Sequence, residues 1–176
     1  MIETERLILR QWRPEDREPF VAMLLDPDVS DWIGGPFTRE VALERAAKQE
    51  ATVAEHGYGR LVIERRSDGA FLGYCGLLPT GDRPPVPVGY EVGWGLDQAA
   101  RGGGYATEAA AAVFADGFER LGLSEILAFT GEKNLRSQAV MRRLGMTRTP
   151  ALDFDHPALA DDHPLKRHIV FVAPKP

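Results

Sequence analysis

Two stretches of this 176-residue chain carry residue types suited to chemistry. The first, "YEVGWGLDQAARGGGYATE", sets one carboxylate, Glu91, inside an otherwise apolar strand pattern. Three consecutive glycines, Gly102, Gly103 and Gly104, then stand at the door of a helix pattern. A carboxylate partly withdrawn from water has its pKa raised toward values at which it takes protons near neutrality, so Glu91 is a general-base candidate. Glycines before a helix leave first-turn N–H groups bare, and those groups, with the positive end of the helix dipole, suit a pyrophosphate. The second stretch, "NLRSQAVMRRLG", begins with Asn134 and carries Ser137 three residues later on the same helix face. Taken alone, that pair reads as an N-cap and an exposed hydroxyl.

Other reactive side chains offer less. Cys75 lies in "AFLGYCGLL", a buried-strand pattern in which cysteine acts as a small hydrophobe. As the single cysteine it excludes an intramolecular disulfide, and the chain reads as intracellular, with a cytoplasmic location expected. His56, His156, His163 and His168 show no recognised ligand spacing, so no metal site is expected. The two His-Pro dipeptides are read as shaping a loop.

The elements that must position these residues follow from periodicity. "ETERLILRQW" alternates as a first strand, and "RPEDREPFVAMLLD" follows as a helix with Pro14 near its start. "PDVSDWIGGPF" reads as a loop, and residues 38–55 as a helix capped by Thr38. "GRLVIERR" and "AFLGYCGLLP" form a hairpin across "SDG", "TGDRPPVP" a loop tip, and "VGYEVGWGLD" a third strand. After the glycines, Ala106, Ala109, Ala110, Val113, Phe114, Gly117, Phe118 and Leu121 repeat with helical spacing. "EILAFTG" is a strand, the Asn134 segment a helix stopped by Gly145, and "RTPALDFDHPALADDHP" a long loop before a closing strand, "HIVFVA". The result is one α/β domain, residues 1–176, with a mixed sheet.

Composition sets outer limits. The chain is 44% hydrophobic and 27% charged, with net charge −5. No long basic run supports nucleic-acid binding, and no segment has the apolar length of a membrane span or a signal peptide. The mild acidic excess suits a cationic small molecule or a basic peptide.

Three phosphate-binding patterns compete for the glycines. A P-loop ends in Gly-Lys-Ser/Thr, and "GGGYAT" holds no lysine. The dinucleotide pattern G-x-G-x-x-G matches Gly102 and Gly104 but meets Thr107 at its third glycine. Glu125, about twenty residues on, keeps that NAD(P) reading open. The third pattern, Q/R-x-x-G-x-G/A, fits Gly102 and Gly104 with Ala99 at its Gln/Arg position and Gln98 one residue off register. This is the acyl-CoA loop of the GCN5-related N-acetyltransferases (GNAT). "ETERLILRQW", "GYEVGWGLD", "GGGYATEA" and "NLRSQAVMRRLGM", in that order, resemble the RimJ/RimL-like branch of that family across nearly the whole chain.

The resemblance implies a mostly antiparallel central sheet, flanked by about four helices and splayed at the cofactor strand. It implies acetyl-CoA as cosubstrate, no metal, and a primary amine as acceptor, either a small molecule or a protein N-terminus, attacking the thioester directly. A lysine-type amine has a pKa of about 10.4 and an α-amine about 7.7–8.0, so both must lose a proton. Glu91 stands where the family has its glutamate base, often acting through water. Ser137 matches the acid of the RimL-like branch, with Met141 where the wider family has a tyrosine. Val92, Gly93, Trp94 and Gly95 would form the splayed segment, its glycines marking a bulge or a close approach, and Gly93, Trp94, Gly95 and Leu96 would bind the cofactor. Gly102, Gly103, Gly104, Tyr105, Ala106 and Thr107 would cradle the pyrophosphate, and Asn134 would contact the CoA arm. Arg136, Arg142 and Arg143 are candidates for the phosphates or for a solvated face. "VSDWIGG", with Trp32, and the His-Pro loop would border the acceptor. Monomer and homodimer both suit the family, and a non-catalytic acyl-CoA-binding module is the second reading.

Overall fold

Leu7 and Leu9, both fully buried, set the inward face of the first hairpin, β1 (Ile2–Glu3) and β2 (Leu7–Arg10). In this computed structural model, which describes residues 1–81, 86–157 and 159–175, the expected single strand is broken at Thr4. The Thr4 hydroxyl there accepts from the Leu7 amide at 2.9 Å and closes a turn. A 3-10 turn at Pro14–Asp16 leads into α1 (Arg17–Leu25). Buried Arg10 fixes that junction, donating to both Asp16 carboxylate oxygens at 2.7 and 2.9 Å and to Glu64 at 2.6 Å. A guanidinium in this fork geometry compensates the desolvation of its charge.

"PDVSDWIGGPF" is not wholly loop. It contains α2 (Pro27–Ser30), a single turn with Pro27 at its start and the Asp26 carboxylate accepting from the Asp28 amide at 2.9 Å. One turn is too short for periodicity to reveal, although its cap and proline are standard start signals. α3 (Arg39–His56) runs from the Thr38 cap to Gly57, as the pattern indicated.

The hairpin of β3 (Arg60–Arg65) and β4 (Phe71–Pro79) is followed by β5 (Tyr90–Leu96); of the expected loop tip before β5, residues 82–85 lie outside the described residues. α4 (Tyr105–Glu119), β6 (Glu125–Gly131) and α5 (Leu135–Arg143) complete the central part. The expected long loop after α5 carries two two-residue strands, β7 (Thr147–Arg148) and β8 (Phe154–Asp155), both pairing with β9 (Arg167–Pro174). Strands of two residues have no alternation to read.

The sheet order is β1-β2-β3-β4-β5-β6-β9-β7, with β8 also on β9. Every pairing is antiparallel except that of β5 and β6, which α4 connects. The mixed, mostly antiparallel sheet is therefore as expected, with four longer helices and the one-turn α2. Adjacent β3 residues mark its two faces. Ile63 packs into a core with Ala109, Val113 and Phe114 of α4, whereas Val62 joins Phe20 of α1 and Ala42 of α3.

Candidate active site

The parallel pair opens almost as soon as it forms. β5 and β6 register at Glu91 opposite Leu127 and nowhere later, while the other edge of β5 pairs with β4 from Tyr90 to Leu96. The edge of Val92–Leu96 that faces β6 is thus left without a strand partner, and its backbone donors and acceptors are available to a ligand. The splay inferred for residues 92–95 is present. A bulge is not: the β4 and β5 register runs unbroken through Gly93 and Gly95.

Those two glycines have another cause. A Cβ on Gly93 would fall 1.8 Å from Arg60 Nη1, and one on Gly95 would fall 2.7 Å from the Tyr74 ring. Bare backbone on this face lets Arg60 and Tyr74 lie flat across the strand. Glu91 shares the face. It is buried, at 5% exposure, but it is not the lone carboxylate that the sequence suggested, because Arg60 Nη2 donates to it at 3.1 Å. Arg60 Nη1 also donates to the Gly76 carbonyl at 3.2 Å.

Beside the end of β5 lies a cavity of about 1390 Å³, walled by residues 94–96, the glycine loop, α4, α5 and the α2 segment. Drug-sized ligand pockets run to roughly 300–1,000 Å³, so this one suits an extended molecule with room beside it. Of the residues singled out in the sequence, Trp94, Gly95, Leu96, Gly102, Gly104, Tyr105, Ala106, Thr107, Asn134 and Ser137 line it. Glu91, Gly93 and Gly103 do not. Glu91 instead sits at the apex of the splay, at the last shared pair of β5 and β6.

The glycine loop leaves β5 through a 3-10 turn at Gln98–Ala100, where the Asp97 carboxylate accepts from the Ala99 amide at 2.9 Å. Gly102 and Gly104 have φ of 82° and 79°, a left-handed conformation that other residues adopt only at a cost. A Cβ on Gly102 would meet no protein atom within 4 Å, so the space before it is open. Gly104 is the N-cap of α4, placing the helix's first-turn donors at the cavity. Gly103 faces the other way: its carbonyl accepts from Arg6 Nη1 at 2.9 Å.

Glu108 lines the cavity and Arg6 stands behind it, and the sequence reading singled out neither. Arg6 Nε donates to Glu108 at 2.7 Å, the Arg6 amide does so at 3.0 Å, and the guanidinium lies 4.7 Å above the Tyr105 ring. Thr4 adds a hydroxyl at 2.6 Å. Burial alone would raise the Glu108 pKa, but the Thr4 hydroxyl and the Arg6 amide and guanidinium together hold it below its ordinary value. A signal existed, an acidic residue in the first turn of α4, but its partners lie about a hundred positions away in sequence.

On α5, the Asn134 carbonyl accepts from the Ser137 amide at 3.2 Å, and its amide donates to Thr130 at 3.1 Å. The N-cap reading holds, and the cap turns Ser137 toward the cavity. Arg136 and Arg143 line the cavity with Arg101. Arg142 turns away, donating to Gln138 at 3.0 Å. Ala99 is off the wall, whereas Gln98 is on it and donates to Asp28 at 2.8 Å. Asp28, Val29, Trp32 and Ile33 also line the cavity, with Asp28 bonded to Gln98 of the loop, so the Trp32 segment borders the cavity. The His-Pro loop does not join it among the described residues, and Ala158 lies outside them. His156 and His168 instead meet each other and Phe154. Cys75 is buried, with its thiol pushed up to about 12 by that burial, as an inert core residue requires.

The residues present therefore fit a polyanionic acyl carrier. Arg101, Arg136, Arg143 and a helix N-terminus line it, the end of β5 forms part of its wall, and open space fronts Gly102. Comparison with known proteins agrees. The family model described as "Acetyltransferase (GNAT) domain" matches residues 6–147. The chain is 29% identical over 149 residues to the uncharacterized N-acetyltransferase YnaD of Bacillus subtilis, covering 84% of this chain and 82% of that one. An acetyltransferase structure from Agrobacterium tumefaciens superposes with TM-score 0.80 and 27% identity over 99% of this chain and 94% of that chain. RimL, a ribosomal-protein alpha-N-acetyltransferase solved in complex with coenzyme A, shares the fold at TM-score 0.74 and 15% identity, over 97% and 95% of the two chains. The chain belongs to the GNAT acetyltransferase family and is an acetyl-CoA-dependent N-acetyltransferase.

Proposed function

We propose that the enzyme acetylates a primary amine by direct attack on the bound thioester, with Glu91 as general base and Ser137 as general acid. The observation that carries this reading is the position of Glu91 at the last β5 and β6 pair, where the strands part toward the α4 N-terminus. Acetyl-CoA supplies an activated acyl group. The protein holds its phosphates with Gly102, Gly104 and the cavity arginines, and positions its arm along the open edge of β5. Asn134 supports this by fixing the first turn of α5.

Because Glu91 is off the cavity wall, the proton leaves the amine through one intervening water and ends on the Glu91 carboxylate. The Ser137 hydroxyl, on the wall, gives its proton to the leaving thiolate and takes in exchange the proton that the attacking nitrogen loses as the amide forms. The acceptor is a single amine on a neutral or apolar carrier, small molecule or protein N-terminus. Val29, Trp32 and Ile33 give the α2 segment of the wall apolar character suited to such a carrier.

The test is release of free thiol from acetyl-CoA with a panel of amines. Transfer to an α-amine, with polyamines and aminoglycosides poor, supports the proposal, and Ser137→Ala should lower kcat with CoA affinity kept. Binding of CoA with no thiol released by any amine favours the silent acyl-CoA module instead.

A further inference from the structure

The orientation of Gly103 assigns a role to a residue outside the cavity. A trans peptide unit points its C=O and the following N–H in opposite directions. The Gly103 carbonyl is held by Arg6 Nη1 at 2.9 Å, so the Gly104 N–H of the same unit points away from Arg6, toward the cavity that Gly104 lines. We infer that this N–H is aimed at the cofactor's pyrophosphate and that Arg6 is the positioning residue that aims it. The inference rests on the acetyl-CoA reading of the cavity.

Each neighbour of Arg6 serves that end. Glu108 takes its Nε at 2.7 Å and its Nη2 at 2.6 Å, which leaves Nη1 aimed at the loop. Thr4 holds Glu108 from the other side at 2.6 Å. The Tyr105 ring lies 4.7 Å beneath the guanidinium, and a Cβ on Gly103 would fall 2.8 Å from that ring. Gly103 therefore leaves space for the ring on which Arg6 rests. Both ends of the brace lie on separate elements, the β1 to β2 turn and α4, so the loop is clamped from across the sheet's edge.

Two variants test this, Arg6→Gln and Glu108→Gln, with CoA affinity measured by calorimetry. Each should weaken CoA roughly tenfold, and the double variant should be little worse than either single one, because both act through one carbonyl. Arg6→Lys, which keeps one donor, should recover part of the loss. S-acetylpantetheine lacks the pyrophosphate, so its use as acetyl donor should be unchanged by Arg6→Gln. Unaltered CoA affinity, or equal losses with acetyl-CoA and S-acetylpantetheine, would overturn the inference. Failure of the wild-type protein to bind CoA would instead overturn the reading of the cavity.

Discussion

Arg60 and Glu91 form an ion pair of 3.1 Å whose side chains are only 11% and 6% exposed. Arg60 reaches it from β3 by lying over Gly93, in the space that a side chain on β5 would otherwise occupy. The proposed base is thus held at the apex of the cleft by a buried cation, and the glycine spacing of "EVGWG" is part of that arrangement.

Removing one member of a buried ion pair costs about 3–5 kcal/mol. Arg60→Gln is therefore expected to lower the urea midpoint strongly. The double variant Arg60→Gln, Glu91→Gln, a neutral pair that still hydrogen-bonds, should regain most of it. Equal destabilisation in the single and double variants would show that the pair is not coupled.

Gly102 separates ligand space from protein space. Valine there pays the left-handed backbone cost, about 1–2 kcal/mol, but its Cβ meets no protein atom within 4 Å. Gly102→Val should fold with a modestly lower Tm while CoA affinity drops at least roughly tenfold, since the proposed cradle places the pyrophosphate in the space that the added methyls would fill. Intact affinity by calorimetry would remove Gly102 from the cradle.

His168 gives the fold a pH dependence. Its pKa is lowered from 6.5, first by burial and also by the neighbouring His156, whose ring centroid is 5.2 Å away. Between 6.5 and the lower native value the unfolded chain binds more protons. Stability is therefore full above 6.5 and is lost as pH falls through the native value. Thermal melts from pH 8 to 5 should show this decline, and His168→Phe, which keeps an aromatic ring beside Phe154 and cannot protonate, should flatten it.

What could be read from the sequence was what repeats or lies close in the chain. The α4 face was legible because seven buried positions recur with helical period, and the Thr38 and Asn134 caps because cap and helix are contiguous. That Gly102 and Gly104 leave bare backbone before α4 was legible from residue type, while their positive φ emerged only from the structure. Arg60 on Gly93, Tyr74 on Gly95 and Arg6 on Gly103 were not, since each joins residues distant in sequence and the glycine records only that something must fit. α2, β7 and β8 were too short to have a period.

The pH profile depends on which amine is used. At pH 7.5 roughly a third of an α-amine is already neutral, against about a thousandth of a lysine-type amine, so Glu91 has less to do for the former. The base role is therefore read most directly with a high-pKa acceptor.

The decisive measurement is kcat for Glu91→Gln beside its CoA affinity, on protein shown to be folded at the assay temperature. The account expects kcat near neutral pH to fall by about 10²–10⁴-fold, the usual worth of general-base catalysis, with CoA affinity within a factor of about two of wild type. Unchanged turnover in this variant would contradict it.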